Sequence, residues 1–257
     1  TVAFERFAGA LSARATLRNV AGVLLLAFGI WTAGSAAYHG ALHRLREKGL
    51  VYPCACSRRE IADSALAGVE GPVYPGTCRT GLPPGKAARA LRIDTRGATT
   101  TFDDVVQGHF AHNVEHDFGD FVLLRADDVY AYQLAVVVDD AEQGITDIVR
   151  GADLLASTPR QIYLQQLLGL PQPRYAHLPV AVNRAGEKLS KQTFAAPVDA
   201  TKPLPALVAT LSFLGQRPPL DLARGTIKEF WAWALMNWDL AHVPRVASAP
   251  APIQTDG

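Results

Sequence analysis

The sequence predicts an α/β fold, on three observations. Of 257 residues, 49% are hydrophobic and 19% charged, enough apolar material for one large or two modest domains with real cores. Leu134 to Val138 is an unbroken apolar run closed at once by Asp139 and Asp140. Periodicity alone leaves that run a buried strand or the start of a buried helix. Two carboxylates at its end suit the carboxyl end of a strand in an open sheet, where ligands bind. Third, Gly144 and then Ile145 to Gly151 read as a turn, a short strand and a second turn. A helix start follows, in which Ser157 or Thr158 caps, Pro159 suits the first turn, and Ile162, Leu164, Leu167 and Leu168 form the apolar face.

Taken in order, the chain begins with its most ambiguous segment. Val20 to Tyr38 carries no charge, which is marginal for a spanning helix of about 20 residues. Arg14 and Arg18 precede the run and small residues follow at Gly34 to Ala37, as in a signal peptide. Gly22, Gly29, Gly34, Thr32 and Ser35 weigh against both readings, so a buried helix followed by a loop is expected, with no membrane role. His39 to Gly49 reads as an amphipathic helix with Leu42 and Leu45 inward and Gly49 as its stop. Ser57 and Glu60 have the spacing of a capping box. Gly71 to Gly85 is a Gly- and Pro-rich loop, and Leu91 to Asp94, Thr99 to Phe102 and Phe121 to Arg125 read as strands. His109, His112 and His116 fit no ligand frame and are expected on a solvated loop. Pro197 to Pro205 is a linker, Leu204 to Leu214 a helix, and Thr226 to Leu240 a second helix whose tryptophans suit a core or an interface. The tail from Val246 is expected to be mobile.

Cys54, Cys56 and Cys78 account for every cysteine. Three clustered thiols are too few for a disulfide framework and imply a reducing cytoplasm. Two thiolates two residues apart, with a third beyond a helix, can hold tetrahedral zinc, which still needs a fourth ligand. With a net charge of +1, the surface is no general polyanion coat; a nucleic-acid partner would need local basic patches. Near the end of the predicted sheet, Lys188-Leu189-Ser190-Lys191-Gln192 follows a turn from Asn183 to Gly186. Two lysines three apart on such a loop suit a polyphosphate, although a lone pair of this kind is more often a solvated loop.

Five motifs in fixed order lift these residues above their individual readings. They are Tyr132 to Asp140 (Tyr-Gln-Leu-Ala-Val-Val-Val-Asp-Asp), Val149 to Leu155, Ser157 to Gln161, Tyr175 to Pro179 and Lys188 to Gln192. The order resembles the class I glutamyl-tRNA synthetases, from about Leu42 to Val198, and within them their short paralogues, the glutamyl-Q tRNA(Asp) synthetases. The last motif resembles the class I KMSKS loop, with Leu for Met and Gln for the final Ser. The resemblance implies a Rossmann-like class I catalytic domain over residues 1–198, with a zinc-containing insertion over residues 50–120. A helical region over 199–245 and a tail over 246–257 would follow. It implies ATP-dependent activation of glutamate and transfer to the queuosine base in the anticodon stem-loop of tRNA(Asp), by a cytoplasmic monomer. Arg6, Tyr132 and Arg150 would hold glutamate. Lys188, Leu189, Ser190, Lys191 and Gln192 would hold ATP and its magnesium, with Lys191 and Lys188 catalytic. Tyr74 would complete a structural zinc site with Cys54, Cys56 and Cys78.

Two departures keep alternatives open. Arg6-Phe7-Ala8 resembles the family's first strand, but the His-x-Gly-Ser phosphate motif and the Arg-Ile-Glu-Asp strand do not follow it. A non-catalytic zinc- and RNA-binding paralogue is therefore one alternative. An ordinary glutamyl-tRNA synthetase is the other, against which stand the few residues after Lys191.

Overall fold

The computed structural model describes residues 36–62, 66–190, 193, 195 and 197–252. Most of the apolar run from Val20 lies outside these residues, as do Arg6, Lys191 and Gln192. The chain divides into two compact units. One comprises residues 1–56, 77–94 and 121–143; the other comprises 57–76, 95–120 and 144–257. Residues 50–120, expected as one insertion, are thus shared between both.

In the first unit a helix over residues 36–47 buries Leu42 and Leu45 and ends before Gly49, whose φ of 70° suits a residue without a Cβ. An antiparallel sheet follows in the order Val51–Cys54, Ala90–Ile93, Val122–Leu124. Tyr132–Glu142 is a helix, burying Leu134, Val137 and Val138. This corrects the placement of Asp139 and Asp140. They lie in the last turns of a helix, not at a strand's carboxyl end, because the apolar run continues at helical spacing. Asp139 accepts a hydrogen bond from the Tyr38 hydroxyl at 2.7 Å, which pushes the tyrosine pKa up to about 12.

The second unit is built on a four-stranded mixed sheet in the order Gly108–Asn113, Thr99–Asp104, Arg174–Leu178, Asp147–Gly151. The first pair is antiparallel; Thr99–Asp104 and Asp147–Gly151 both run parallel to Arg174–Leu178. Helix Thr158–Leu168 makes the crossover between the parallel strands, with Pro159 in its first turn and Gly169 closing it at φ 66°. Ser157 stands at its N-cap position but makes no side-chain cap bond. Phe102, Ile162 and Tyr175 form the core between helix and sheet.

Two further expectations, on the histidines and on the tail, are corrected here. His109 and His112 lie on strand Gly108–Asn113 and pair with Asp103 and Asp117, while His116 lies in the short helix Val114–Asp117, so none is on a loop. Helix Ile227–Asn237, opened by a Thr226–Glu229 capping box, buries Phe230 and Ala234 in a core cluster with Trp233 packed against it, and leaves Trp231, Leu235 and Met236 exposed. Residues Ser248–Pro250 of the supposedly mobile tail form a strand parallel to Val180–Val182. The Gln107 amide holds the Val246 carbonyl beside it at 3.1 Å.

Candidate active site

The parallel strands of the second unit deliver three polar residues to one edge. Asp104, His177 and Arg150 each lie at or next to the carboxyl end of their strand, and Arg150 is the register partner of His177. This is the edge at which an open α/β sheet binds ligands. Along Thr99–Asp104, Thr100, Phe102 and Asp104 alternate inward, so a carboxylate is carried to a position where the pattern calls for an apolar side chain.

That carboxylate is fully engaged. Its Oδ1 accepts from the backbone N–H groups of Val106 (3.0 Å), Gln107 (2.8 Å) and His177 (3.1 Å), and its Oδ2 lies 2.6 Å from His177 Nδ1. Burial raises the carboxyl pKa. The His177 ring and the backbone donors outweigh that effect and hold it below the ordinary value. An ionised carboxylate only accepts, so His177 Nδ1 carries the proton and Nε2 is left as an acceptor. It receives Arg150 Nε at 3.0 Å.

The rest of the guanidinium is gripped from the crossover helix. Arg150 Nη2 donates to Thr158 Oγ1 and to Gln161 Oε1, both at 2.8 Å, and makes a long 3.4 Å contact with the Leu154 carbonyl. The Tyr175 ring lies 5.5 Å from the guanidinium carbon and stacks beside His177. Every one of these hydrogen-bond partners is neutral. The cation is held rigidly without being neutralised, which is what a receptor for a ligand carboxylate requires.

The lysine loop is shaped by the turn before it. Asn183 Oδ1 accepts from the N–H groups of Ala185 and Glu187, Gly186 turns at φ 80°, and Lys188 bridges back to Val182. Lys188 Nζ forms an ion pair with Asp153, and the Thr193 hydroxyl donates to the Lys188 carbonyl at 2.8 Å. Leu189 N–H bonds the Ala181 carbonyl, and Ser190 N–H bonds Thr193 Oγ1 at 2.9 Å.

In the first unit, the Sγ atoms of Cys54, Cys56 and Cys78 lie within 4.8 Å of one another, with Cys56 and Cys78 at 3.7 Å. Tetrahedral zinc with Zn–S bonds of about 2.3 Å sets its sulfurs about 3.8 Å apart, so the thiols fit that metal. None of the three forms a disulfide. Tyr74, of the second unit, is buried, with its backbone bridged to Gly119. Tyr132 opens its helix in the first unit with half its surface exposed.

The sequence pointed to Arg150 and Lys188 but gave no role to Asp104, His177 or Gln161, and offered Thr158 only as a helix cap. The signal for Asp104 was an acid on the inward face of an alternating strand. His177 stood inside a quoted motif, without a function of its own.

Residues 34–203 match the family described as tRNA synthetases class I (E and Q), catalytic domain. The chain belongs to this family. The Glutamyl-Q tRNA(Asp) synthetase of Aromatoleum aromaticum is 58% identical over 224 residues, covering 87% of this chain and 71% of that protein. The protein of the same name from Dechloromonas aromatica is 58% identical over 211 residues, covering 81% of this chain and 70% of the relative. Among solved structures, a glutamate-tRNA synthetase from Elizabethkingia anophelis superposes with a TM-score of 0.60 at 21% identity over 83% of this chain. This class I synthetase chain spans half the length of that structure. The similarity carries the fold: a class I catalytic domain on a mixed α/β sheet. Among the described residues, no helix of this synthetase is long and apolar enough to cross a membrane.

Proposed function

We propose that this chain activates glutamate with ATP and transfers it to the queuosine base of tRNA(Asp). The observation that carries the reading is the cation of Arg150, fixed at the carboxyl edge of the sheet by acceptors that, among the described residues, are all neutral. A dicarboxylic amino acid supplies the missing anion. Arg150 binds one carboxylate of glutamate as a planar fork, with Tyr132 and Arg6 contacting the same ligand. A glutamate carboxylate oxygen attacks the α-phosphorus of ATP, forming the acyl-phosphate bond of glutamyl-adenylate as the bond to pyrophosphate breaks. Lys191, with Lys188, Leu189, Ser190 and Gln192 of the same loop, stabilises the charge that moves onto the leaving phosphates. No covalent intermediate on the protein is needed; positioning and charge stabilisation supply the rate. Magnesium bound with ATP adds charge neutralisation at the phosphates. Cys54, Cys56, Cys78 and Tyr74 hold a structural zinc, since four protein ligands leave no open position for chemistry.

The test is glutamate-dependent ATP–pyrophosphate exchange without tRNA, followed by transfer of labelled glutamate to tRNA(Asp) with and without queuosine. Exchange that depends on glutamate, with transfer only to the queuosine-bearing tRNA, is expected. Transfer to tRNA(Glu) instead would make the chain an ordinary glutamyl-tRNA synthetase. Absence of exchange would remove the enzymatic reading.

A further inference from the structure

The Asp104 carboxylate and the Arg150 guanidinium stand on the two strands that flank Arg174–Leu178 in the sheet. Here His177, with no exposed surface, stands between them. Its Nδ1 faces Asp104 at 2.6 Å, and its Nε2 accepts from Arg150 Nε at 3.0 Å. Asp104 is in turn anchored by three backbone donors, so the row is braced at the end away from Arg150.

We propose that His177 and Asp104 are positioning residues for Arg150: His177 is a neutral spacer that fixes the guanidinium plane while keeping the Asp104 carboxylate from neutralising its charge. The proposal rests on the reading of Arg150 as the glutamate clamp. Neither residue needs to touch the substrate. With Nε held by His177 and Nη2 by Thr158 and Gln161, the orientation of Nη1 follows from the rigidity of the guanidinium. Among the described residues, no hydrogen bond occupies Nη1. Asp104 sets the tautomer. Were Nδ1 to lose its proton to Nε2, two donors would face each other across the 3.0 Å gap to Arg150.

Two substitutions at His177 separate this role from mere strand-end packing. His177→Asn keeps an amide donor where Nδ1 meets Asp104 but removes the acceptor for Arg150. His177→Gln puts a carbonyl where Nε2 stood and gives that acceptor back. L-glutamate affinity is measured by isothermal titration calorimetry on the full chain, with melting temperature as the check on folding. His177→Asn should raise the Kd for glutamate about tenfold or more, the scale of one charge-assisted hydrogen bond. His177→Gln should recover most of that loss. Arg150→Lys should raise the Kd about ten- to a hundredfold, and adding His177→Asn to it should raise the Kd no further, since both act through one guanidinium. If His177→Asn melts too low to titrate, Asp104→Asn carries the same expectation: its Oδ1 keeps the backbone donors and its amide turns a donor toward Nδ1.

Equal weakening by His177→Asn and His177→Gln, or additive effects with Arg150→Lys, would overturn the positioning role while leaving the clamp reading intact. An unchanged Kd in Arg150→Lys would overturn the clamp, and the positioning role with it.

Discussion

The thiol cluster and the carboxyl-edge row are built in opposite ways. Cys54, Cys56 and Cys78 come from one short stretch, so their spacing alone announces a shared partner, and the structure gathers their sulfurs within 4.8 Å. Asp104, Arg150 and His177 are scattered, and only the pairing of three strands makes them neighbours. The first is a site that local sequence writes down. The second exists only after the sheet has formed, and its polar atoms are satisfied by one another. The difference teaches that function which depends on a rigid, uncompensated charge needs long-range scaffolding, whereas a metal can gather its own ligands from a loop.

This contrast can be broken in several ways. The largest effect is expected from a third region, the lysine loop. Lys191→Ala should cut adenylate formation by about two or more orders of magnitude while barely moving glutamate affinity, because a transition-state contact is lost and not a ground-state one. Pyrophosphate exchange checks the first part and calorimetry the second. At the carboxyl-edge row, Arg150→Lys should weaken glutamate binding and catalysis by about 1–3 kcal/mol with little change in melting temperature. Arg150→Gln should lose more and relax discrimination against glutamine, which competition binding reads directly. At the thiol cluster, Cys78→Ser should take zinc from about one per chain to a substoichiometric level, by atomic absorption on unchelated protein. The glutamate Kd should stay near wild type. If zinc loss weakened glutamate as much as Arg150→Lys does, the two regions would not be functionally separate.

The smallest effect is a pH dependence. The folded Asp104 carboxyl lies below its ordinary value, so its stabilising contribution is fully present above the unfolded carboxylate pKa of about 3.9 and is lost as pH falls through the folded value. The melting-temperature gap between wild type and Asp104→Asn should therefore be constant from neutral pH down to about pH 5 and narrow below about pH 4. A gap that stayed constant through that acid range would mean Asp104 is not held ionised by its neighbours.

Much of the fold could be read before any coordinates. The capping box at Ser57–Glu60 forms, and Gly49 stops its helix. Leu134 to Val138 could not be assigned, because a short apolar run fits a strand and a buried helix equally until its neighbours are known. His109 and His112 looked solvated because polar side chains on an edge strand resemble a loop. Their pairing with Asp103 and Asp117 is a property of the strand's register. Arg150 was legible through its motif. Asp104 was not, since its side-chain partner, His177, lies far along the chain and no local pattern points to it.

The strand Ser248–Pro250 has a consequence for how the chain is made. It pairs with Val180–Val182, which is also bridged to Lys188 at the base of the lysine loop, and Ala251 N–H bonds the Val182 carbonyl. During synthesis, Val180–Val182 leaves the ribosome about 70 residues before its partner strand. At about 5–20 residues per second, the segment beneath the loop waits several seconds with one edge open. An open strand edge is where chains pair with the wrong neighbour. The order of translation therefore leaves the base of the lysine loop without its partner strand until Ser248–Pro250 has been made.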